Sequence, residues 1–128
     1  MKYYFAKTLA APFDDVVSRT RAGLQEEGFG VLTEVDVKAT LKKKLDVDFR
    51  RYLILGACNP ALAHEALQLE DKVGTMLPCN VIVHEKGDGD VEVAAIDPVA
   101  SMQAIDNQDL IQRAQLVREK LERVVEGL

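Results

Sequence analysis

The chain has 128 residues, 48% of them apolar and 29% charged, with a formal charge of −5. That balance suits one compact domain whose core needs no disulfide or metal to hold it, and it leaves no room for a second. An acidic chain without a long basic stripe excludes nucleic acid as the default partner, since phosphate neutralisation supplies most of that affinity. Membrane spanning is excluded because no apolar run approaches about 18 residues. Lys7 breaks the apolar start, so no signal segment is expected. A cytoplasmic protein with Cys58 and Cys79 reduced is the expectation.

Residues 2 to 8 mix aromatic and β-tolerant residues and predict a strand. Pro12, Asp14 and Asp15 then open a helix, proline fitting a first-turn position and the acids complementing the positive end of the dipole. Its apolar face carries Phe13, Val17, Thr20 and Leu24, and Gly28 stops it as a left-handed cap. Phe29 to Val35 returns as a strand, and Asp36 caps a short lysine-rich helix with Val37, Leu41 and Leu45 inward. Tyr52 to Ala57 is the most apolar strand and belongs in the middle of the sheet. It ends at Cys58, where Asn59 and Pro60 start a helix with Leu62, Ala66 and Leu69 along one face and His64 and Glu65 pointing away. Asn80 to His84 and Val91 to Ile96 flank a Gly-containing loop and predict an antiparallel hairpin. Asp97-Pro98 begins a short helical turn. Asp106 or Asn107 caps a last helix reaching Gly127, whose stripe Leu110, Ala114, Val117, Leu121, Val124 and Leu128 would cover the sheet or form a dimer. Outside the stripe, Asp109/Arg113, Arg118/Glu122 and Glu119/Arg123 stand at i,i+4 spacing.

The order β-α-β-α-β-α-β-β-α, with a short helix before the long C-terminal one, predicts an α+β fold: a two-layer sandwich, antiparallel sheet backed by helices. A parallel α/β arrangement would fit the early alternation, but no Gly-rich phosphate loop accompanies it.

Most catalytic motifs fail. His64-Glu65 begins a zinc-protease helix, but Gln68 stands where the second His would bind. Gly28-Phe29-Gly30 lacks the third glycine of a dinucleotide loop, and Asp88-Gly89-Asp90 is only a fragment of calcium-loop spacing. Lys38, Lys42, Lys43, Lys44, Arg50 and Arg51, against Asp46 and Asp48, leave residues 38 to 51 net positive, a candidate anion patch or simply a solvated face. His84 lies on the hairpin near an acidic loop and is expected at the surface.

The cysteines offer the one candidate site. Cys58 closes one strand and Cys79 opens another; if these strands are antiparallel neighbours, the two residues meet. The helix start at Asn59-Pro60 would favour a Cys58 thiolate, and His64 could fold back as a third soft ligand or a base. Two thiolates and an imidazole suit Zn(II) or Cu(I). Ordinary packing cysteines are the competing reading.

Several segments together, Gly28-Phe-Gly-Val-Leu-Thr-Glu-Val-Asp-Val-Lys-Ala-Thr-Leu41, Leu55-Gly-Ala-Cys-Asn-Pro60, Leu77-Pro-Cys-Asn-Val81 and Ala95-Ile-Asp-Pro98, resemble domain-of-unknown-function family 302, small bacterial and archaeal proteins, over nearly the whole chain. The resemblance implies a TBP-like α+β fold, often dimeric, and no established activity. It places Cys58-Asn59 and Cys79-Asn80 in matching blocks. Three functions follow as expectations: a homodimeric small-ligand or soft-metal binding protein using Cys58, Asn59, Cys79 and Asn80; a thiol oxidoreductase or redox sensor in which Cys58 attacks and Cys79 resolves; and a structural or interaction module dimerising through its last helix or a sheet edge.

Overall fold

The computed structural model describes residues 2–128. Strand β1 (Tyr4–Ala10) leads to helix α1 (Phe13–Glu26), β2 (Gly30–Asp36), α2 (Val37–Leu45), β3 (Tyr52–Cys58) and α3 (Pro60–Leu69). A 3-10 stretch (Asp71–Met76), absent from the sequence reading, precedes β4 (Cys79–Gly87), β5 (Asp90–Ile96), the short α4 (Pro98–Ser101) and the long α5 (Gln108–Glu126). The strands form one sheet in the order β1-β5-β4-β3-β2, every neighbouring pair antiparallel. The fold is therefore the expected α+β sandwich and not a parallel one. β3 lies inside the sheet, but its centre is β4, flanked by β5 and β3.

The helix starts follow from their caps. Asp36 accepts from the Ala39 amide, Asn59 from Leu62, Asp97 from Val99 and Ala100, and Asn107 from Leu110; each satisfies donors that have no partner within the helix. Pro12 takes the cap position of α1 without a side-chain hydrogen bond, and Gly28 closes the turn after that helix at φ +84°, a conformation glycine adopts without a Cβ penalty. The hairpin turns at Asp88 and Gly89, both at positive φ.

Apolar period-two positions, Val81 and Val83 on β4 with Val91, Val93 and Ala95 on β5, bury against Val16 and Leu24 of α1 and Leu121, Val124 and Val125 of α5. A second cluster of Ala66, Val73, Met102, Leu110 and Ala114 fills the space beneath α3. Two facing registers depart from expectation. In α1, Val16 is fully buried and Val17 only half-buried, because the helix turns its Phe13-Val16-Thr20-Leu24 line to the sheet. In α2, Leu45 is 66% exposed and does not face inward.

The α5 stripe packs internally, with Leu110, Ala114, Leu121 and Val124 buried, so it is not free to be a dimer face. Its charged residues reach other elements instead of forming ion pairs one turn apart. Arg113 meets Glu65 of α3, Arg118 meets Asp97, and Arg123 meets Glu27 after α1. Lys7 of β1 donates to the carbonyls of Glu126 and Leu128, tying the end of the chain to the sheet.

Candidate functional site

Antiparallel pairing of β3 with β4 sets Ala57 opposite Cys79, which brings Cys58 to the neighbouring position across the strands. Both thiols are free and border one cavity of about 40 Å³. Leu62, Ala63 and Ala66 of α3 wall one side and Leu110, Arg113, Ala114 and Val117 of α5 the other, with Phe29, Leu77 and Pro98 completing it. The walls are apolar apart from the thiols, the Asn59 amide and Arg113. The space suits a guest of a few heavy atoms, since one water occupies roughly 10–15 Å³ on this measure.

Three groups give the cavity its chemistry. Burial, reinforced by the adjacent Cys58, pushes the Cys79 thiol up to about 11, so Cys79 is a protonated, soft, weakly polar wall near neutrality. Asn59 is held as the cap of α3, its Oδ1 3.3 Å from the Leu62 amide; a Cβ on Gly28 would come within 3.1 Å of its Nδ2, so the glycine ending α1 also makes room for it. Arg113 Nε is buried and makes no hydrogen bond, although Glu65 Oε2 lies 2.8 Å away. The contact is an ion pair, so the Arg113 guanidinium at the cavity wall has its counter-charge on Glu65.

Other predicted residues fall elsewhere. Asn80 lines a groove on the opposite face of the sheet, because consecutive strand residues point to opposite faces; the proposed quartet is a trio of Cys58, Asn59 and Cys79. His64 is exposed on α3, and no three His, Cys, Asp or Glu side chains among the described residues come together to hold a metal. The Cys58, Cys79, His64 set is not assembled, and zinc, which takes at least three protein ligands, loses its site. The six cations of the basic segment disperse as well. Lys42 pairs with Asp46 and Asp48, Lys38 donates to the Phe49 carbonyl, and Arg51 pairs with Asp14 while lying over the Phe13 ring. Arg50 turns to His84, leaving Lys43 and Lys44 as solvated charges.

His84 is buried rather than at the surface. Its neighbours across the sheet are Tyr52 and Glu92. Arg50 Nε donates to its Nδ1 at 3.2 Å, and its Nε2 lies 2.8 Å from Glu92 Oε1, which assigns a neutral ring with the proton on Nε2. Beside this row runs an aliphatic one, Ala6, Ala94, Ile82, Ile54 and Val35. A groove of about 400 Å³ opens over this face, bordered by Tyr3, Tyr4, Tyr52, Lys86 and Glu92. Alternation places Ile82, His84, Glu92 and Ala94 on one face, a signal legible in the sequence, but the hairpin's acidic loop hides it.

The family model described as domain of unknown function DUF302 matches residues 5–128. The chain belongs to this family. It is also similar to a solved structure, an uncharacterized conserved DUF302 protein from Bacillus stearothermophilus, at 24% identity over 98% of each chain with a TM-score of 0.90. That likeness establishes a shared fold. No curated protein matches the chain. Among the described residues no helix is long and apolar enough to cross a membrane.

Within this DUF302 fold, Arg113 is the cavity residue that sequence reasoning missed. Its i,i+4 spacing from Asp109 points to a surface charge, and only the packing of α5 beside α3 brings it to the cavity wall next to Glu65.

Proposed function

We propose that the chain is a noncatalytic, homodimeric binding module whose guest sits in the cavity between Cys58, Cys79 and Arg113. The observation that carries this reading is the convergence of two free thiols, the Asn59 amide and the Arg113 guanidinium on one apolar cavity. An acceptor atom on the guest would meet the Arg113 guanidinium and the Asn59 amide at the wall. The guest is thus a small, mainly apolar molecule with one acceptor atom. The same pair of thiols also fits Cu(I), a soft ion that takes sulfur ligands, and fits it better than zinc because only two ligands converge. Copper must displace the Cys79 proton, so its affinity should rise with pH. In the redox reading Cys58 attacks and Cys79 resolves, and burial, which keeps Cys79 protonated near neutrality, slows the resolving step. A cytoplasmic location keeps the thiols reduced.

Homodimerisation is supported by exposed apolar residues at one sheet edge: Leu32 at 66%, Val35 at 43%, Leu45 at 66% and Val47 at 42% exposure lie on β2, the end of α2 and the segment after it. β2 is an edge strand with unpaired backbone groups along one side, a natural template for a second copy.

Anaerobic Cu(I) titration against a chelator tests the metal arm. One equivalent bound by the native chain and lost in Cys58→Ser supports it, and equal binding by both removes it. Light scattering on Leu32→Lys tests the dimer: a dimer mass for the native chain and a monomer mass for the variant are expected, and a native monomer at tens of micromolar refutes that part.

A further inference from the structure

The outer-face groove is independent of the thiol cavity, lies on the other side of the sheet, and holds every tyrosine the chain has: Tyr3, Tyr4 and Tyr52 all border it. Three such rings on one groove supply π-faces that attract cations. Tyr3 and Tyr4 already pack edge to face with centroids 4.9 Å apart. Glu92 adds a counter-charge. Its side chain is only 23% exposed, its Oε1 accepts from His84, and its Oε2 has no hydrogen-bond partner among the described residues. Lys86, the nearest cation within the groove, has its Nζ 3.9 Å from Oε1, beyond hydrogen-bond reach, and is half-exposed.

We propose that this groove binds an organic ammonium cation, its charged nitrogen against Glu92 and its apolar body along the aliphatic row of Ala94 and Ile82 between the tyrosines. Charge complementarity selects the occupant. The carboxylate and the aromatic rim both favour a positively charged donor, and Lys86 occupies the same field as a loosely held internal cation that a ligand would displace. A groove of about 400 Å³ also lies within the roughly 300–1,000 Å³ range of small-molecule sites.

The chain reports on this site directly. It has no Trp, so emission excited near 280 nm comes from the three groove tyrosines. The experiment titrates the full-length protein with benzylammonium at pH 7, with benzyl alcohol as the neutral isostere, and follows tyrosine emission. The expected result is saturable quenching by benzylammonium, with affinity at least about tenfold weaker for benzyl alcohol and for Glu92→Gln, the loss of one charge-assisted contact. Lys86→Gln, an exposed change compatible with folding, should bind benzylammonium several-fold more tightly because the internal competitor is gone. Absence of saturation, equal response to the two probes, or an affinity in Lys86→Gln that is unchanged or weaker would overturn the proposal. Should Glu92→Gln fail to fold, the two probes and Lys86→Gln decide the matter alone.

Discussion

Raising the pH through the range where Cys79 ionises should destabilise the fold by an amount the structure specifies. Cys79 is 8% exposed, and burial, with Cys58 beside it, lifts its thiol from 9.0 to about 11. The folded state therefore holds the proton more tightly than the unfolded chain does. Its contribution to stability is complete below about pH 9 and is lost as the pH rises towards 11, because over that interval the unfolded chain binds fewer protons. At about 1.4 kcal/mol per pH unit, the loss approaches 3 kcal/mol. Urea unfolding of the reduced native chain and of Cys79→Ala at intervals from pH 8 to 11 isolates the effect, since tyrosines and lysines titrate alike in both. Over this series, which ends where the folded thiol is half ionised, the native chain should lose about 2 kcal/mol more than the variant, with similar denaturant slopes. At pH 7 the same proton affinity leaves about one hundredth of the thiolate of an ordinary cysteine, so iodoacetamide should modify Cys79 correspondingly slowly. Parallel stability curves agreeing within about 0.5 kcal/mol, together with ordinary alkylation, would refute the reasoning.

Other consequences are as specific. Gly56→Ala would place a Cβ 2.0 Å from Thr33 Oγ1 and 2.7 Å from Pro78 Cγ; a loss of about 1–3 kcal/mol in urea unfolding is expected, and no loss would mean that β2 does not pack against β3 in this register. Asp97 caps α4 and pairs with Arg118 at 3.1 Å, so Asp97→Ala should cost about 2–3 kcal/mol and Asp97→Asn less, equal costs being the contrary outcome. Glu27 is held below the usual carboxylate range by its hydrogen bond from Arg123, so its charged form favours folding and that contribution fades as pH falls. An NMR titration should show Glu27 returning to the ordinary range in Arg123→Gln, and an unshifted titration would speak against the pair.

Local chemistry made most of the fold legible. Asp36, Asn59, Asp97 and Asn107 are polar caps ahead of apolar periodic segments, and each cap forms. The hairpin was readable because alternation flanked a glycine turn. What escaped depends on distance. The 3-10 stretch at Asp71–Met76 has neither period, and Arg113, Arg118 and Arg123 look like one-turn partners of acids on their own helix until α5 is packed against α3, Asp97 and Glu27. Cys58 and Cys79 border one cavity because β3 pairs with β4 and Cys58 is the last residue of its strand. Asn80 failed because its single-residue offset from Cys79 is a reversal of face in a strand, and His64 failed because a helix residue pointing outward does not turn back past its own first turn.

Methyl NMR of the reduced chain titrated with acetone, a four-atom molecule with one acceptor, tests the cavity reading most directly. Saturable shifts confined to the Leu62, Leu77 and Leu110 methyls, and abolished when Ala114→Val fills the cavity, are the predicted result. Shifts that are absent, scattered over the surface, or unchanged in Ala114→Val would contradict it.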